Sequence, residues 1–478
     1  MEAITRREFF LVTAAGAAAI AARSGVARAA VPPRYRTAAG WNVPRVVFDP
    51  PATDTASGLL FAAPFGLTGA APGGSSGPLI LGDDGEPVWF LPLDKVRAMN
   101  FKAQTYRGAP VITWYESPGK GLYGGSCVIY GRDYKEIKRV HGGHGYAVDL
   151  HEFVITSRNT ALLAIANEVP TSAGRVVEGV VQEIDIASGK VLFEWHSLDH
   201  VPLSDSFRTD VTADGTIDYF HLNSIGVGPD GNLIVSSRHT STIYKLDRRS
   251  GSVLWRLGGK RSDFALGPGA AFWFQHDARA HADGTLTLFN NGATGTGAEA
   301  VEPATRPIRL RLDESAMTAE LAQVFVPVRS RLAIAMGNLQ LLPDGGAFVG
   351  WGTGGGFTEF GPDGTVRLDG RFADGSISYR VWRLPWTSRP PAKPSVVFER
   401  DGGGGLTVYA SWNGGTGIAY WEVRTGPTRG AVAHRIRVPR SGFETAITVP
   451  ETSGYLTVAA LDASRSELAR TAAIRLGT

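Results

Sequence analysis

The segment IGVGPDGNLIVS, residues 225–236, decides the fold class of this chain, because it joins two short apolar runs through a tight-turn signal. The Asp-Gly pair accepts the positive φ angles of a short turn, so the segment predicts a β-hairpin with strands Ile225–Val227 and Leu233–Ser236. The pattern recurs in Ala278–Ala280, Asp283-Gly284 and Leu286–Phe289, and again in Leu339–Leu342, Asp344-Gly345 and Ala347–Val349. Three such hairpins, about 50 to 60 residues apart, indicate an all-β repeat protein.

A second type of hairpin lies between copies of the first. It consists of an apolar run, a short polar turn and a run that ends in Trp: Val181–Ile186 with Val191–Trp195, and Thr242–Leu246 with Ser252–Trp255. Two hairpins per repeat give four strands, which is the content of one β-propeller blade. We therefore expect residues 31–385 to form a six-bladed β-propeller with about 59 residues per blade; the count also permits seven blades of about 51 residues.

The chain continues beyond the predicted propeller into a second β-rich region. Residues 386–394 are rich in Pro and predict a linker. About seven short alternating runs follow within residues 395–478, among them Leu406–Trp412, Tyr420–Arg424 and Tyr455–Leu461. That number and spacing predict a C-terminal β-sandwich of the fibronectin type III or Ig-like kind.

Residues 1–29 have the features of an export signal. Thr5-Arg6-Arg7-Glu8-Phe9-Phe10 is a twin-arginine sequence, and the apolar run from Phe9 to Ala22 is too short to span a bilayer. Ala27-Arg28-Ala29 supplies a small-residue cleavage pattern. We expect export by the twin-arginine pathway to the cell envelope or the medium, with no membrane anchor on the mature protein.

Charge and cysteine content exclude several classes of function. The formal net charge is +3, and four of the arginines lie in the export segment, so the mature chain is close to neutral and offers no basic surface for nucleic acid. The single cysteine, Cys127, allows neither an intrachain disulfide nor a cysteine-based metal site.

Polar residues recur at one place in the predicted inner strands. Seven positions before the aspartate of each Asp-Gly turn stand Asn223, His276 and Gly337, and other polar residues lie beside them. A propeller brings the innermost strand of every blade to one axis, so residues at equivalent positions meet there. The group expected at this axis contains His151, His221, Asn223, Arg238, His276 and Asn338, with Trp273 as an aromatic wall.

These residue types suit the transfer of an anionic group. A neutral imidazole can act first as a nucleophile and then as a leaving group. The guanidinium of Arg238 can hold the anionic oxygens, and a second histidine can donate and accept a proton near neutral pH. Taken without any family comparison, the same residues could equally bind a metal or a phosphate.

Several of these motifs together resemble one protein family. His221-Leu-Asn-Ser-Ile, Ser236-Ser-Arg-His and Phe274-Gln-His-Asp-Ala-Arg, in this order, are similar to the bacterial arylsulfate sulfotransferases, as are Asp149-Leu-His-Glu-Phe and Gly337-Asn-Leu-Gln. The resemblance covers roughly residues 55–385. It points to the divergent branch common in actinomycetes and fungi, because the chain lacks the N-terminal β-sandwich and the disulfide of enterobacterial members and has a C-terminal sandwich instead.

The resemblance implies a function and a role for each residue. Family members are six-bladed propellers that need no cofactor and no phosphoadenosine phosphosulfate. They take a phenolic sulfate ester as donor and a phenol as acceptor, in a ping-pong reaction through a sulfohistidine. By resemblance, His276 is the nucleophile, His151 and His221 assist proton transfer, Arg238 binds the sulfuryl oxygens and Asn223 supports the site. Asn338 and Trp273 are assigned to substrate binding, and no metal is expected.

Two other functions remain open at this stage. One is a non-catalytic propeller that binds glycans or cell-wall material. The other is a metal-assisted lyase or hydrolase with His151, His221 and His276 as ligands, although paired carboxylates are scarce in these motifs.

Two further motifs have more ordinary interpretations. His141-Gly-Gly-His144-Gly has two histidines but no third metal ligand nearby in sequence, so it predicts a surface or channel-rim loop. Gly258-Gly259-Lys260-Arg261 lacks the spacing of a phosphate-binding loop and predicts a connection between strands. His239 and His281 fall out of step with the inner-strand positions, and we expect them to be structural.

Overall fold

The computed structural model describes residues 35–66, 75–93, 95–117, 124–208, 211, 215–293, 301–400, 405–450 and 454–476. These residues form an all-β protein, in which strands build several sheets and the helical content is limited to the short 3-10 turns Ser197–Asp199, Leu203–Asp205 and Gly352–Gly354. None of the helices among them has the length and hydrophobicity of a membrane span. The predicted export signal, residues 1–29, lies outside the described residues.

The first part of the chain supplies thirteen of the described strands. Their bounds are β1 (Val46–Phe48), β2 (Leu59–Ala62), β3 (Leu79–Leu81), β4 (Pro87–Phe90), β5 (Ala98–Tyr106), β6 (Ala109–Glu116), β7 (Ser126–Tyr130), β8 (Glu136–Val140), β9 (Phe153–Ile155), β10 (Thr160–Thr171), β11 (Gly174–Asp185), β12 (Val191–His196) and β13 (Thr216–Asp218). β5 to β8 form sheet II in chain order, and β9 to β12 form sheet III, where β13 joins β11 in parallel.

The middle of the chain repeats this arrangement. Its strands are β14 (Leu222–Val227), β15 (Leu233–Ser237), β16 (Thr242–Leu246), β17 (Val253–Gly258), β18 (Ala265–Leu266), β19 (His276–Ala280), β20 (Thr285–Asn290), β21 (Arg306–Asp313), β22 (Thr318–Val324), β23 (Asn338–Leu341), β24 (Ala347–Gly350), β25 (Phe357–Phe360), β26 (Val366–Phe372) and β27 (Val381–Leu384). β14 to β17 form sheet IV, β19 to β22 with edge strand β18 form sheet V, and β23 to β26 with edge strand β1 form sheet VI.

One sheet joins the two ends of this region. Sheet I has the order β27-β2-β3-β4, so a strand from the late part of the chain completes a meander that begins near residue 59. Leu60 lies opposite Arg383, and Ala62 lies opposite Val381. This pairing connects residues more than 300 positions apart, so it fixes the large-scale topology and not only the local structure.

The hairpins predicted from Asp-Gly are confirmed. β14 pairs with β15, β19 with β20 and β23 with β24, all antiparallel and each across one of the three predicted turns. Gly231, Gly284 and Gly345 have φ angles of 85°, 77° and 88°. A side chain is disfavoured in that region, so these positions explain why the turns use Gly.

Neighbouring sheets contact each other through their first strands. β9 contacts β14, β14 contacts β19 and β19 contacts β23. β24 contacts β27, β27 contacts β5, and β5 contacts β9. Apolar clusters fill the spaces between sheets; the one between sheets III and IV includes Leu162, Trp195, Phe220 and Tyr244. The first residues of the inner strands are therefore brought near one another.

The C-terminal region contains two further sheets. Its strands are β28 (Ser395–Arg400), β29 (Leu406–Ser411), β30 (Tyr420–Gly426), β31 (His434–Pro439), β32 (Thr445–Val449), β33 (Gly454–Leu461), β34 (Glu467–Arg470) and β35 (Ile474–Leu476). β28, β29 and β32 form one sheet, and the other five strands form the second. Residues of both sheets share one apolar cluster that includes Val408, Trp421 and Val458.

Candidate active site

His276 stands at the start of β19 with both ring nitrogens engaged. Its Nδ1 lies 2.7 Å from Oδ1 of Asn291. The Asn291 amide nitrogen donates to the carbonyls of Ala333 (2.6 Å) and Met336 (3.0 Å), so the amide oxygen must face the imidazole. An amide oxygen only accepts, so the Nδ1 of His276 carries the hydrogen. Nε2 is then the unprotonated nitrogen, and its lone pair accepts a hydrogen bond from the backbone N–H of Met336 at 3.2 Å.

The surroundings of His276 favour its neutral form. Burial lowers the pKa of His276 well below its ordinary value, and the positive charge of Arg238 lowers it further, against the opposing effect of Asn291. The side chain is almost fully enclosed, at 1% exposure. An imidazole that remains neutral retains its lone pair on Nε2, and this lone pair can attack once the hydrogen bond from Met336 is released.

His151 and His221 differ from His276 in the group that holds Nδ1. The Nδ1 of His221 lies 2.7 Å from a carboxylate oxygen of Asp218, and the Nδ1 of His151 pairs with the carboxylate of Asp149. The two rings are in edge contact, with centroids 4.9 Å apart. A carboxylate on Nδ1 accepts its hydrogen and orients the ring, so Nε2 of both residues is the nitrogen that remains for proton exchange.

Burial also affects His221 itself. It lowers the pKa of His221, while the nearby Asp218 carboxylate acts in the opposite direction. The residue has a φ of 54°, an uncommon conformation for a residue with a side chain. This turn geometry immediately precedes β14 and sets the direction in which the ring leaves the backbone.

Arg238 follows the last residue of β15 and reaches into the same pocket. One of its terminal nitrogens donates to Nε2 of His239 at 2.8 Å, and the other donates to the carbonyl of Ile334 at 3.0 Å. The guanidinium lies over the ring of Phe274, 5.0 Å from its centroid. Arg238 is 1% exposed. Its charge is therefore held at the pocket by fixed contacts.

His239 lies inside this group, although the sequence analysis placed it outside. Its Nε2 accepts from Arg238, so its Nδ1 carries the hydrogen that bonds to the backbone carbonyl of Asp218. The His239 and His221 rings have centroids 4.5 Å apart. The inner-strand count missed it because Ser241, with a φ of 47°, belongs to a turn that interrupts the strand period.

Asp218, His221 and His239 form the group of metal-type ligands found in the described part of the chain, with ligand atoms within 4.8 Å of one another. The hydrogen bonds do not suit a metal. Arg238 occupies one ring nitrogen of His239 and the Asp218 carbonyl occupies the other, so His239 has no lone pair to offer. Asp218, His221 and His239 are instead linked to one another by hydrogen bonds.

Asn223 lies between the histidine pocket and the buried ion pair of Arg380 with Glu152. Its amide nitrogen donates to the carbonyl of Gln275 at 2.6 Å, which ties β14 to the chain just before β19. Its backbone carbonyl accepts from Arg380 at 3.0 Å and from the hydroxyl of Tyr379 at 3.3 Å. The Tyr379 ring packs against the ring of His151 at a centroid distance of 5.6 Å.

A buried network of charges lies below Asn223. Glu152 contacts Lys102 at 2.8 Å, Arg279 at 2.5 Å and Arg380 at 3.0 Å, and Arg279 also pairs with Asp277 at 2.7 Å. Burial alone raises the pKa of Glu152, but Arg279, Arg380 and Lys102 together hold it well below its ordinary value. Burial lowers the pKa of Lys102 to about 8. Three cations and two anions leave a positive excess beneath the histidines.

The other two predicted residues lie away from this centre. Asn338 uses its amide oxygen and nitrogen on the backbone of Val381, both at 2.9 Å, and so joins β23 to β27. Trp273 is half-buried, and its ring meets that of Phe207 at a centroid distance of 5.3 Å. Both rings pack on an apolar cluster that includes Phe274 and lies next to Arg238.

A narrow cleft lies beside the histidines. It is lined by Asp149, His151, Ile165, Ala166, Val177, Glu178, Gly179, Asp218, His221 and Leu222. The polar members cluster around His151 and His221, and the apolar ones come from β10, β11 and β14. The cleft runs from the imidazoles of His151 and His221 to strands β10 and β11 of sheet III.

Asn291, Tyr379 and Arg380 were not predicted from the sequence. Asn291 directly follows β20, whose last residue is Asn290, and Tyr379-Arg380 directly precedes β27. The adjoining strand was predictable in each case, and a buried amide or guanidinium beside it is the available signal. The partners are far away in sequence, since Arg380 pairs with Glu152 across 228 positions.

The chain is similar to several known proteins. The model of the family described as Arylsulfotransferase (ASST) matches residues 102–373, more than half of the chain. A protein of unknown function from Bacteroides caccae has 13% identity and a TM-score of 0.42 over 68% of this chain and 98% of its own. A catalytically inactive virginiamycin B lyase from Staphylococcus aureus, with quinupristin, has 11% identity and a TM-score of 0.33 over 80% and 96%. No curated protein matches.

Proposed function

Because the chain belongs to the arylsulfotransferase family, we propose that it moves a sulfuryl group from a phenolic sulfate ester to a phenolic acceptor in two steps, through a sulfohistidine at His276. The substrates are small aryl molecules, and the reaction needs neither a metal nor a nucleotide sulfate donor. His151 and His221 handle the protons, and Arg238 stabilises the negative charge of the sulfuryl oxygens.

One observation carries this proposal: the three imidazoles have different partners on Nδ1. A neutral amide holds His276, whereas carboxylates hold His151 and His221. The amide fixes the hydrogen of His276 on Nδ1 and leaves the lone pair on Nε2, and the carboxylates orient the other two rings through their Nδ1 atoms. These contacts support a division of the site into one nucleophile and two acid–base groups.

In the first step, Nε2 of His276 forms a bond to sulfur while the bond between sulfur and the aryl oxygen breaks. The electron pair of that bond goes to the aryl oxygen, which takes a proton from Nε2 of His151 or His221 and leaves as a phenol. In the second step the acceptor phenol returns a proton to the same imidazole, and its oxygen displaces His276 from sulfur. Fixed charge at Arg238 lowers both barriers, because it needs no rearrangement as charge develops.

We propose that residues 31–385 form a closed six-bladed propeller around this site. The support is the set of six sheets, the chain of contacts from β9 through β14, β19 and β23 to β27 and β5, and the pairing of β27 with β2. Residues 386–394 would be the linker, and residues 395–478 a β-sandwich, supported by two sheets that share one apolar cluster.

We also propose that the protein acts outside the cytoplasm after export through the twin-arginine pathway. The support is the sequence of residues 1–29, with its paired arginines, its short apolar run and its cleavage pattern. Fusion of these residues to a reporter that is active only after export tests the proposal. Replacement of Arg6 and Arg7 by Lys should abolish the reporter signal.

The decisive experiment uses the donor without an acceptor. The mature protein is incubated with 4-nitrophenyl sulfate, and the intact mass and the peptide masses are then measured. We expect one sulfuryl adduct on the peptide that contains His276, and none in His276→Gln. The control variant is His281→Gln, since His281 is a half-buried histidine bonded to Thr287 and outside the pocket. Transfer by His276→Gln at the wild-type rate would overturn the proposal.

A further inference from the structure

A second set of titratable residues lies beside the histidine pocket, on one face of sheet III. Gln182 on β11 is opposite Glu194 on β12, and Val180 is opposite His196. Side chains alternate between the faces of a sheet, so Glu178, Glu194 and His196 all project from the same face. The glycine-rich loop before β9 brings His144 to this face.

These four side chains form an unbroken series of hydrogen bonds. Nδ1 of His144 lies 2.8 Å from one oxygen of Glu194, and the other oxygen of Glu194 lies 3.1 Å from Nε2 of His196. Nδ1 of His196 lies 3.0 Å from Glu178. Imidazole and carboxylate groups alternate along the series, so each link joins two groups that can exchange a proton.

The series leads from solvent towards the interior. The side chain of His144 is 61% exposed, that of His196 is 25% exposed and that of Glu178 is 4% exposed. Glu178 lines the same cleft as His151 and His221. The inner end of the series therefore opens onto the two imidazoles that handle protons in the proposed reaction.

The neighbours of the series hold it in place without interrupting it. Asn167 on β10 donates to Glu178 at 2.8 Å, and Gln182 donates to Glu194 at 2.6 Å. The ring of Tyr146 lies 6.1 Å from that of His196. Burial, followed by the charges of Glu194 and Glu178, raises the pKa of Tyr146, so this phenol stays neutral.

We propose that Glu178, His196, Glu194 and His144 are a proton relay between solvent and the acid–base histidines, an inference that rests on the proposed function. In the first step the relay brings a proton from solvent through Glu178 to Nε2 of His221 or His151, and that ring passes the proton to the leaving aryl oxygen and becomes neutral again. In the second step the same neutral ring takes the proton of the acceptor phenol and releases it to solvent by the same path. None of the four residues contacts the sulfur, and their role is proton delivery.

The motif His141-Gly-Gly-His144 thereby gains a function that the sequence did not suggest. A relay is useful here because the pocket histidines are enclosed, and bulk water cannot protonate them freely.

The test compares two donors with different leaving groups. Phenyl sulfate releases a strongly basic phenolate that needs a proton, whereas 4-nitrophenyl sulfate releases a weakly basic one that does not. His196→Gln retains hydrogen bonding but cannot transfer protons. We expect adduct formation from phenyl sulfate to fall by about 10²-fold, with a loss at least tenfold smaller for 4-nitrophenyl sulfate and KM unchanged for both. Imidazole in the buffer should restore part of the phenyl sulfate rate in His196→Ala.

His141→Gln is the matched control, since His141 occupies the same loop and is not a relay member; it should keep the wild-type ratio of the two rates. Equal losses for both donors in His196→Gln, with wild-type protein active on both, would overturn the relay and leave the sulfotransferase proposal intact. Wild-type protein that forms no adduct from either donor would overturn both. Thermal unfolding of each variant verifies that it is folded.

Discussion

Oδ1 of Asn291 lies 2.7 Å from Nδ1 of His276 and accepts its hydrogen, because two backbone carbonyls take both hydrogens of the Asn291 amide. This single contact fixes the tautomer of His276. It places the lone pair on Nε2 and provides no negative charge that would favour protonation. The tautomer of His276 therefore depends on the identity of residue 291.

We expect His276 to remain an active nucleophile under mildly acidic conditions. Its reactive form is unprotonated, and burial together with Arg238 lowers its pKa well below the ordinary value near 6.5. A lower pKa moves the acidic limb of the pH profile to lower pH. The rate of adduct formation from 4-nitrophenyl sulfate, measured by rapid quench, should stay constant as the pH falls through about 6.5. A limb centred at or above that pH would contradict the prediction.

Asn291→Asp should reverse this behaviour. A carboxylate on Nδ1 stabilises the imidazolium form, so the pKa of His276 rises and the acidic limb moves up by at least about one pH unit, equivalent to about 1.4 kcal/mol. The variant also loses two amide donors, which costs roughly 1–3 kcal/mol of stability. The measurements are the pH profile of adduct formation and the midpoint of urea unfolding.

Asn290→Asp is the matched control for this substitution. Asn290 is equally buried, but it bonds to Glu302 and to the backbone of Trp273 and Gly292. Its replacement should lower stability and leave the pH limb where the wild type has it. A shifted limb in Asn290→Asp, or an unshifted one in Asn291→Asp, would show that the contact at His276 does not set its protonation.

Arg238→Lys should reduce turnover by about 10²- to 10³-fold. A lysine keeps the charge, but it cannot hold His239 and Ile334 at the same time in the planar geometry of a guanidinium. The measurement is kcat/KM for transfer from 4-nitrophenyl sulfate to phenol. Arg158→Lys, at an arginine whose side chain is 60% exposed and pairs with the buried Glu183 outside the site, should change it less than twofold. A loss below about threefold in Arg238→Lys would rule out a role in charge stabilisation.

The sequence predicted the repeated hairpins because their determinants are local. Each Asp-Gly turn specifies its own geometry within four residues, and β14 with β15 or β19 with β20 extends only slightly beyond the predicted runs. The histidines and Arg238 were predicted from their motifs, and their roles stay predictions. The structure brings the rings of His151 and His221 into edge contact, and Arg238, His151 and His221 lie close enough to His276 to lower its pKa. The position of each residue relative to its strand was sufficient to predict this proximity.

The contacts that define each role depend on pairing between distant parts of the chain. Arg380 lies beside Glu152 because β27 pairs with β2 near the start of the chain. No sequence pattern near residue 380 predicts this contact. Asn338 remains a predicted substrate contact, and the structure adds that its amide pairs with the backbone of Val381. A local sequence pattern predicts where a side chain lies on its strand, whereas the neighbouring sheet determines which group that side chain contacts.

The buried network below the pocket leads to a prediction about stability. Glu152 is fully buried and contacts Lys102, Arg279 and Arg380. Glu152→Gln leaves three cations with Asp277 as their remaining carboxylate, and an uncompensated buried charge costs about 3–5 kcal/mol. The midpoint of urea unfolding at pH 7 should fall accordingly, whereas Glu168→Gln, at a surface pair with Arg175, should change the stability by less than about 1 kcal/mol.

The pH dependence of unfolding separates this electrostatic effect from a loss of packing. The folded-state pKa of Glu152 is held well below its ordinary value by the three cations, despite burial. Its contribution is therefore fully present above the unfolded-state pKa of about 4.3 and is lost as the pH falls towards the folded-state value. Wild-type protein should lose more stability between pH 7 and pH 3 than Glu152→Gln does, because the variant lacks the titrating group. Parallel losses in the two proteins would mean that Glu152 stabilises the fold through its shape alone.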